Sequence, residues 1–381
     1  MTKTQYIYLD HAAATPIDEV VVQAMQPYFT QDFYNPSATY LPAVKIKQIL
    51  EQARTKVAFW LGVKPSEIVL TAGASEANNL AIQGLMKHYP EANLVYGAIE
   101  HESVIEPSKL FNSREVSVKP DGRIDMDDLK QKIDEKTVLI SVMQANNEIG
   151  TIEPLHDIAK LIEQIKDQRR QSNNSLPLFF HTDATQAANY LDLHANRLGV
   201  DLMSLNGGKI YGPKQTGVLY VKSGINLEPL IYGGGQERGL RSGTENVAGF
   251  YGLATALDIV QTSRHEESER LAILQANFID LLQKNSPHIQ INGSLKYRLP
   301  NNIHIILPGK DNERMLLELE KQAILAAAGS ACSASSEEPS HVLKAINKTD
   351  DQAQSSLRLT MGRTTSIEDV KKTVQAISNL S

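Results

Sequence analysis

An α/β fold with a mainly parallel, helix-covered sheet is what this 381-residue chain predicts, and two observations carry that expectation. Short apolar, β-rich runs alternate with longer helical segments, the pattern such a sheet requires. Several of the runs end in polar residues, and ligands in these sheets sit at the carboxyl ends of the strands. The length exceeds one average domain, so a large domain plus a smaller one is the natural arrangement. Hydrophobic content of 41% and charged content of 22% are ordinary for a globular protein. A net charge of -6 with no long basic run gives no reason to expect a nucleic-acid partner. No stretch approaches the roughly 18 apolar residues of a membrane span. The opening residues MTKTQYIYLDHAAAT lack the charged and apolar regions of a signal peptide. A cytoplasmic location is therefore expected, and no metal site is indicated. One cysteine, Cys332, excludes an internal disulfide.

Taken in order, YIYLDHAAATPIDEVVVQAM reads as a short β-rich run, a small-residue turn from Asp10 to Pro16, and a helix starting near Asp18. Residues 35 to 40 form a loop. From Pro42 to Leu61 the positions Val44, Ile46, Ile49, Leu50, Ala53, Val57 and Leu61 mostly follow a 3.6-residue period, which predicts an amphipathic helix. EIVLTAGASEANNLAIQGL predicts a strand from Ile68 to Thr71, a turn from Ala72 to Ser75 and a helix. The free N–H groups and positive dipole end of that helix favour an anion in the turn. This is neither a Walker nor a GxGxxG sequence, so no nucleotide is implied. Further strands are predicted at 94–98, 137–144 and 178–182, with a helix from about Leu155 to Asp167 and a polar surface excursion over 167–175. Leu202, Met203 and Leu205 mark the next strand. Gly207-Gly208 then permit a tight path just before Lys209, and Gly212-Pro213 stop any helix from continuing.

A lysine on a turn is more often a surface residue than a Schiff-base lysine, whose amine attacks an aldehyde. An aspartate after an apolar strand, such as Asp183, is often a helix N-cap, although a buried carboxylate there needs a cationic or hydrogen-bonding partner. If that partner is a protonated pyridine nitrogen, the other strand-end residues acquire roles. His101 can stack on the ring, Asn147 and Gln186 can hydrogen-bond a ring hydroxyl, the Ser75 turn can take a phosphate, and Lys209 can close the Schiff base. Those are the needs of pyridoxal 5′-phosphate.

The motifs YLDHAAATP, EIVLTAGASEANNLAI, IEHESV, NNEIGTIEP, HTDATQ, KIYGPKQTGVLYV, GGGQERGLRSGTEN, GSACSASSEEPSHVL and SSLRLTMGR run nearly end to end. In this order they resemble the cysteine desulfurases of the NifS/IscS type, in the class V aminotransferase group of fold type I pyridoxal-phosphate enzymes. The resemblance implies a large domain over about residues 15–257 with a seven-stranded, mainly parallel sheet. It implies a small α+β domain from residues 1–14 and 258–381, and a helix from Thr244 toward Leu271 that bridges the two. By the same matching, Lys209 is the Schiff-base lysine, Asp183 pairs with the pyridine nitrogen, His101 stacks on the ring, and Asn147 and Gln186 contact its hydroxyl. Ala74, Ser75 and Asn206 to Gly208 match phosphate-binding positions, and Thr244 matches a residue that reaches the phosphate in the neighbouring subunit, which implies a homodimer. Arg358 matches the arginine that clamps the substrate carboxylate, a task suited to a planar guanidinium, and Asn35 approaches the same group.

Cys332 matches the nucleophile. Its surroundings, AAAGSACSASSEEPS, are small, polar and aperiodic, which reads as an exposed loop and not a core segment. The implied reaction converts L-cysteine to L-alanine, with a persulfide on Cys332 passed to a sulfur acceptor protein such as an iron–sulfur scaffold or a thiolation carrier. Within the same enzyme class, a selenocysteine lyase or an aminotransferase is the alternative. A catalytically silent dimeric partner is the alternative from another class. The family usually carries Ser-x-His-Lys before the Schiff base, whereas this chain has Asn206-Gly207-Gly208-Lys209. At the other end, the chain stops at Ser381 without the C-terminal extension that longer members present to a scaffold, so delivery to an iron–sulfur scaffold is not implied.

Overall fold

The computed structural model describes residues 6–329 and 339–380. Cys332 therefore lies outside the described residues. Among the described residues the strands in chain order are β1 (Ile7–Tyr8), β2 (Ile68–Thr71), β3 (Asn93–Gly97), β4 (Ser113–Val116), β5 (Thr137–Ser141), β6 (Phe179–Asp183), β7 (Leu202–Asn206), β8 (Gly217–Val221), β9 (Gln290–Ile291), β10 (Asn302–Ile306), β11 (Ile324–Leu325) and β12 (Ser356–Thr360). Seven of them form one sheet in the order β2-β8-β7-β6-β5-β3-β4. β8 runs antiparallel to both β2 and β7, and the remaining pairs are parallel, so the sheet is mainly parallel as expected.

Alternating residues of these strands feed opposite faces, the period-2 consequence of strand geometry. Ile68 and Leu70 enter one core with Ile140, Phe180, Met203, Leu205 and Val218, covered by Leu50, Ala53, Val57 and Leu61 of the helix Leu41–Leu61 and by Leu253 and Leu257. Val69 enters the other core with Leu94, Leu139, Leu202 and Leu219, covered by Leu80, Ala81 and Leu85 of the helix Ala74–His88. Because both faces are buried, these strands read as continuous apolar runs. A smaller antiparallel sheet, β12-β10-β9, packs Ile303, Ile305, Leu357 and Leu359 against Leu271, Phe278, Val370 and Val374. β1 pairs in parallel with β11, joining the two ends of the chain.

Three expectations are corrected. The helix predicted to end at Asp167 continues to Gln171. Its last turn is held by Arg169, which is buried and donates to the carbonyls of Asp134, Thr137, Leu176 and Pro177. A buried arginine reads as a polar surface residue in sequence, which is why the segment resembled an excursion. The single helix from Thr244 toward Leu271 is two helices, Val247–Thr262 capped by the Asn246 side chain, and Arg264–Asn285. They divide at Ser263, whose hydroxyl bonds back to the Ile259 carbonyl. In Leu41–Leu61 it is Ala43 that is buried, while Val44 faces outward.

One buried acid makes the fold sensitive to pH. Burial pushes the Glu153 carboxyl up to about 8 from its ordinary 4.5, against the Ile124 N–H that donates to it. A folded value raised in this way contributes stability that is complete below 4.5 and is lost as pH climbs through about 8. Glu153→Gln removes the ionisation. Its melting temperature relative to the parent is expected to rise between about pH 5 and about pH 8, a relative gain on the order of a few kcal/mol. A difference between the two proteins that stays constant over that range contradicts this account.

Candidate active site

The polar residues predicted at strand ends converge on one cleft at the carboxyl edge of the sheet. It is lined by Ala74, Ser75, His101, Asn147, Asp183, Gln186, Asn206, Lys209 and Arg358, among others. An adjoining cleft continues from Ser75, Asn206 and Lys209 past Gly73, Glu76, Gly208 and Lys214.

β6 delivers Asp183 directly. Its carboxylate accepts the Asn78 amide at 2.7 Å and the Thr185 N–H at 2.9 Å, and the residue is 6% exposed. Asp183 forms no ion pair among the described residues. His181, two residues back on the same strand, is no counter-cation: burial lowers its imidazole to about 4, although the Asp183 charge pulls the other way. Its ring lies between the Ser141 and Ser204 hydroxyls at 2.8 and 3.0 Å. A carboxylate this buried without a cation fits a cationic N–H donor from a ligand, since an uncompensated buried charge is costly.

β7 leads to Lys209 through the single turn Gly207–Lys209. A Cβ on Gly207 would lie 2.3 Å from the Thr216 hydroxyl and 2.9 Å from the Pro213 carbonyl, so glycine is required there. The Lys209 ammonium donates to the Ala13 carbonyl, which lines the same cleft. Asn206 turns its side-chain carbonyl back to accept the Gly208 N–H at 2.9 Å. The Gly208 N–H is therefore already engaged within the turn.

His101 is the N-cap of the helix Glu102–Lys109 and accepts the Ser103 N–H at Nδ1, 3.0 Å. The Ser103 hydroxyl also meets Nδ1 at 2.8 Å and accepts the Asn78 amide at 2.9 Å. Asn78 thus bridges the elements that carry His101 and Asp183. Asn147 is placed by its neighbour Asn146, whose side-chain Oδ1 accepts two successive N–H groups, from Glu148 and Ile149, and whose side-chain amide N–H donates to the Ile99 carbonyl. Gln186 donates to the Ala12 carbonyl at 3.1 Å. Ala74 and Ser75 open the helix Ala74–His88, whose N-cap is Gly73 and which has no side-chain cap. Its first N–H groups consequently face the adjoining cleft, an anion-binding arrangement.

Arg358 reaches the cleft from β12 and is 1% exposed. It pairs with Asp10 at 2.8 Å and donates to the Asn147 carbonyl at 3.2 Å. Its buried Nε has no hydrogen-bond partner among the described residues. Two residues assigned by resemblance are not among those lining the cleft. Asn35 is exposed, and its side chain accepts the Ser37 N–H in its own turn. Thr244 is exposed on a loop held by the buried Arg54–Glu237 pair and by Arg241–Glu76. Asn78 and Asp10 escaped the sequence reading, because an asparagine within a helix and an aspartate before a small-residue turn carry no signal of their distant partners.

The donor set fits pyridoxal phosphate: an uncompensated buried carboxylate, a lysine amine, an imidazole, two side-chain amides and a helix terminus surround one space. The family described as aminotransferase class-V matches residues 7–373. A cysteine desulfurase IscS of Dictyoglomus turgidum is 38% identical, covering 98% of this chain and 94% of that protein. A solved NifS-like protein superposes with a TM-score of 0.90 at 29% identity, covering 98% of this chain and 99% of its own. The structure described as SspA in complex with cysteine superposes with a TM-score of 0.80 at 34% identity, covering 93% and 98%. No described helix is long and apolar enough to cross a membrane.

Proposed function

The chain belongs to the aminotransferase class-V family, and from that premise we propose that it is a pyridoxal phosphate-dependent cysteine desulfurase that converts L-cysteine to L-alanine and transfers the sulfur to its own Cys332. The observation that carries the reading is that Lys209, Arg358 and the buried Asp183, which has no ion pair among the described residues, line one cleft. The names of the relatives support the substrate: cysteine desulfurase for the one and a cysteine complex for the other.

Pyridoxal phosphate, when bound, supplies an aldehyde for an amine and a ring that withdraws electrons from the substrate carbon. Asp183, fixed in place by Asn78, would hold the proton on the ring nitrogen through a charge-assisted hydrogen bond. His101, oriented by Ser103, would cover the ring face. Asn147 and Gln186 would hydrogen-bond the ring hydroxyl, and Ala74, Ser75 and Asn206 would hold the phosphate. Arg358, aligned by Asp10, grips the carboxylate of L-cysteine. The Lys209 amine takes the proton from the substrate's α-carbon and returns it to form alanine. The Cys332 thiolate attacks the substrate sulfur: a new S–S bond forms, the C–S bond breaks, and its electron pair returns to the carbon skeleton that leaves as alanine. An acceptor protein then removes the persulfide sulfur.

On this reading residues 15–257 bind the cofactor and residues 1–14 with 258–381 form the smaller domain. The active form is a homodimer in which Thr244 serves the partner's phosphate. Its exposed loop, with Tyr232 74% exposed nearby, supports an interface. Light scattering of the active form is expected to give twice the 42.0 kDa chain mass, and Thr244→Ala is expected to release cofactor faster although Thr244 lies in the other subunit from the lysine concerned. A mass of one chain contradicts the shared site. The function itself is tested by adding L-cysteine and a thiol reductant to the cofactor-loaded protein. Sulfide and alanine in equal amounts are expected, and cofactor uptake without alanine would overturn the assignment.

A further inference from the structure

We propose that the Lys214 ammonium is the cation that holds the phosphate of the cofactor, over the space that Gly208 leaves open. The inference rests on the pyridoxal phosphate reading above. A phosphate monoester carries about -1.5 to -2 charges near neutral pH, so its site needs a cation in addition to neutral donors.

The charged side chains lining the phosphate end are Glu76, Lys209 and Lys214. Glu76 is paired with Arg241 at 3.0 Å and accepts the Ala72 N–H at 2.8 Å, so that pair adds no net charge. Lys209 is committed to the aldehyde. The Gly208 N–H is taken by the Asn206 carbonyl, which leaves the Asn206 amide, the Ser75 hydroxyl and the helix terminus as neutral or partially charged donors. A helix terminus supplies only about half a charge. Lys214 is exposed and, among the described residues, makes no ion pair.

The geometry places its stem over Gly208. A Cβ added to Gly208 would sit 3.4 Å from Lys214 Cγ and 3.6 Å from its Cα, ordinary contact distances. A larger side chain at position 208 would grow along the path of the Lys214 stem. Glycine keeps that path clear, and the Thr216 hydroxyl bond to the Pro213 carbonyl at 2.6 Å fixes the turn from which Lys214 projects. Lys214 is therefore a cofactor-binding residue.

The test is an absorbance titration of cofactor-free protein with pyridoxal phosphate and, separately, with pyridoxal, which has the aldehyde and ring but no phosphate. Lys214→Met is expected to weaken pyridoxal phosphate about tenfold and leave pyridoxal unchanged, while Lys214→Arg keeps the parent affinity for both. Adding histidine at the open position in the double variant Gly208→His/Lys214→Met is expected to recover part of the loss. Equal affinity of parent and Lys214→Met for pyridoxal phosphate overturns the proposal, and so does equal weakening for both ligands, which marks a general disturbance of the turn. Failure of the parent protein to take up pyridoxal phosphate at all overturns the functional reading on which the proposal stands, and is distinct from either result.

Discussion

Lys209→Ala is expected to abolish covalent cofactor attachment and turnover together. The residue sits on the turn after β7 with its amine directed into the cleft that also holds Asp183 and Arg358. Its removal takes away both the nucleophile toward the aldehyde and the base at the substrate carbon. Proton transfer alone contributes about 10²–10⁴-fold, so the combined loss is expected to be at least roughly 10⁴-fold. Lys214 is the nearest competing amine and lines the adjoining cleft, but it is exposed and projects beside Gly208, toward the phosphate end. Borohydride reduction of the loaded parent followed by peptide mapping is expected to place the cofactor on Lys209. A label on Lys214 contradicts the assignment of both lysines at once.

Cys332→Ala is expected to separate cofactor chemistry from sulfur transfer. Every residue placed around the cofactor lies elsewhere in the chain, so the variant should bind pyridoxal phosphate and still change its spectrum on addition of L-cysteine. Sulfide production should fall to background, because the chain has no second cysteine to act as nucleophile. Sulfur transfer retained in this variant is incompatible with the proposed scheme, whereas loss of the spectral change would give Cys332 a role in binding.

Much of this was legible in the sequence because strand ends in a parallel sheet are local events. Asp183 and Lys209 announce themselves by an apolar strand stopping at a polar residue, or at two glycines. The antiparallel direction of β8 was not legible, since Gly217–Val221 is as apolar as the parallel strands of the same sheet and the pattern is blind to direction. Arg169 was misplaced because its four backbone acceptors lie on neighbouring loops and on β5, and the sequence shows only a charged residue. Asn78 and Asp10 were missed for a related reason: their partners Asp183 and Arg358 are 105 and 348 residues away. Gly208 was visible as a departure from the family pattern, but its meaning depends on the approach of Lys214, six residues along and across a turn.

The most direct test of the central claim is the mass of the Cys332 peptide after the loaded protein meets L-cysteine without reductant. The account predicts a peptide heavier by one sulfur atom, lost on reduction, with one alanine released per modified chain. Alanine released while Cys332 stays unmodified and reactive toward a thiol reagent would contradict it.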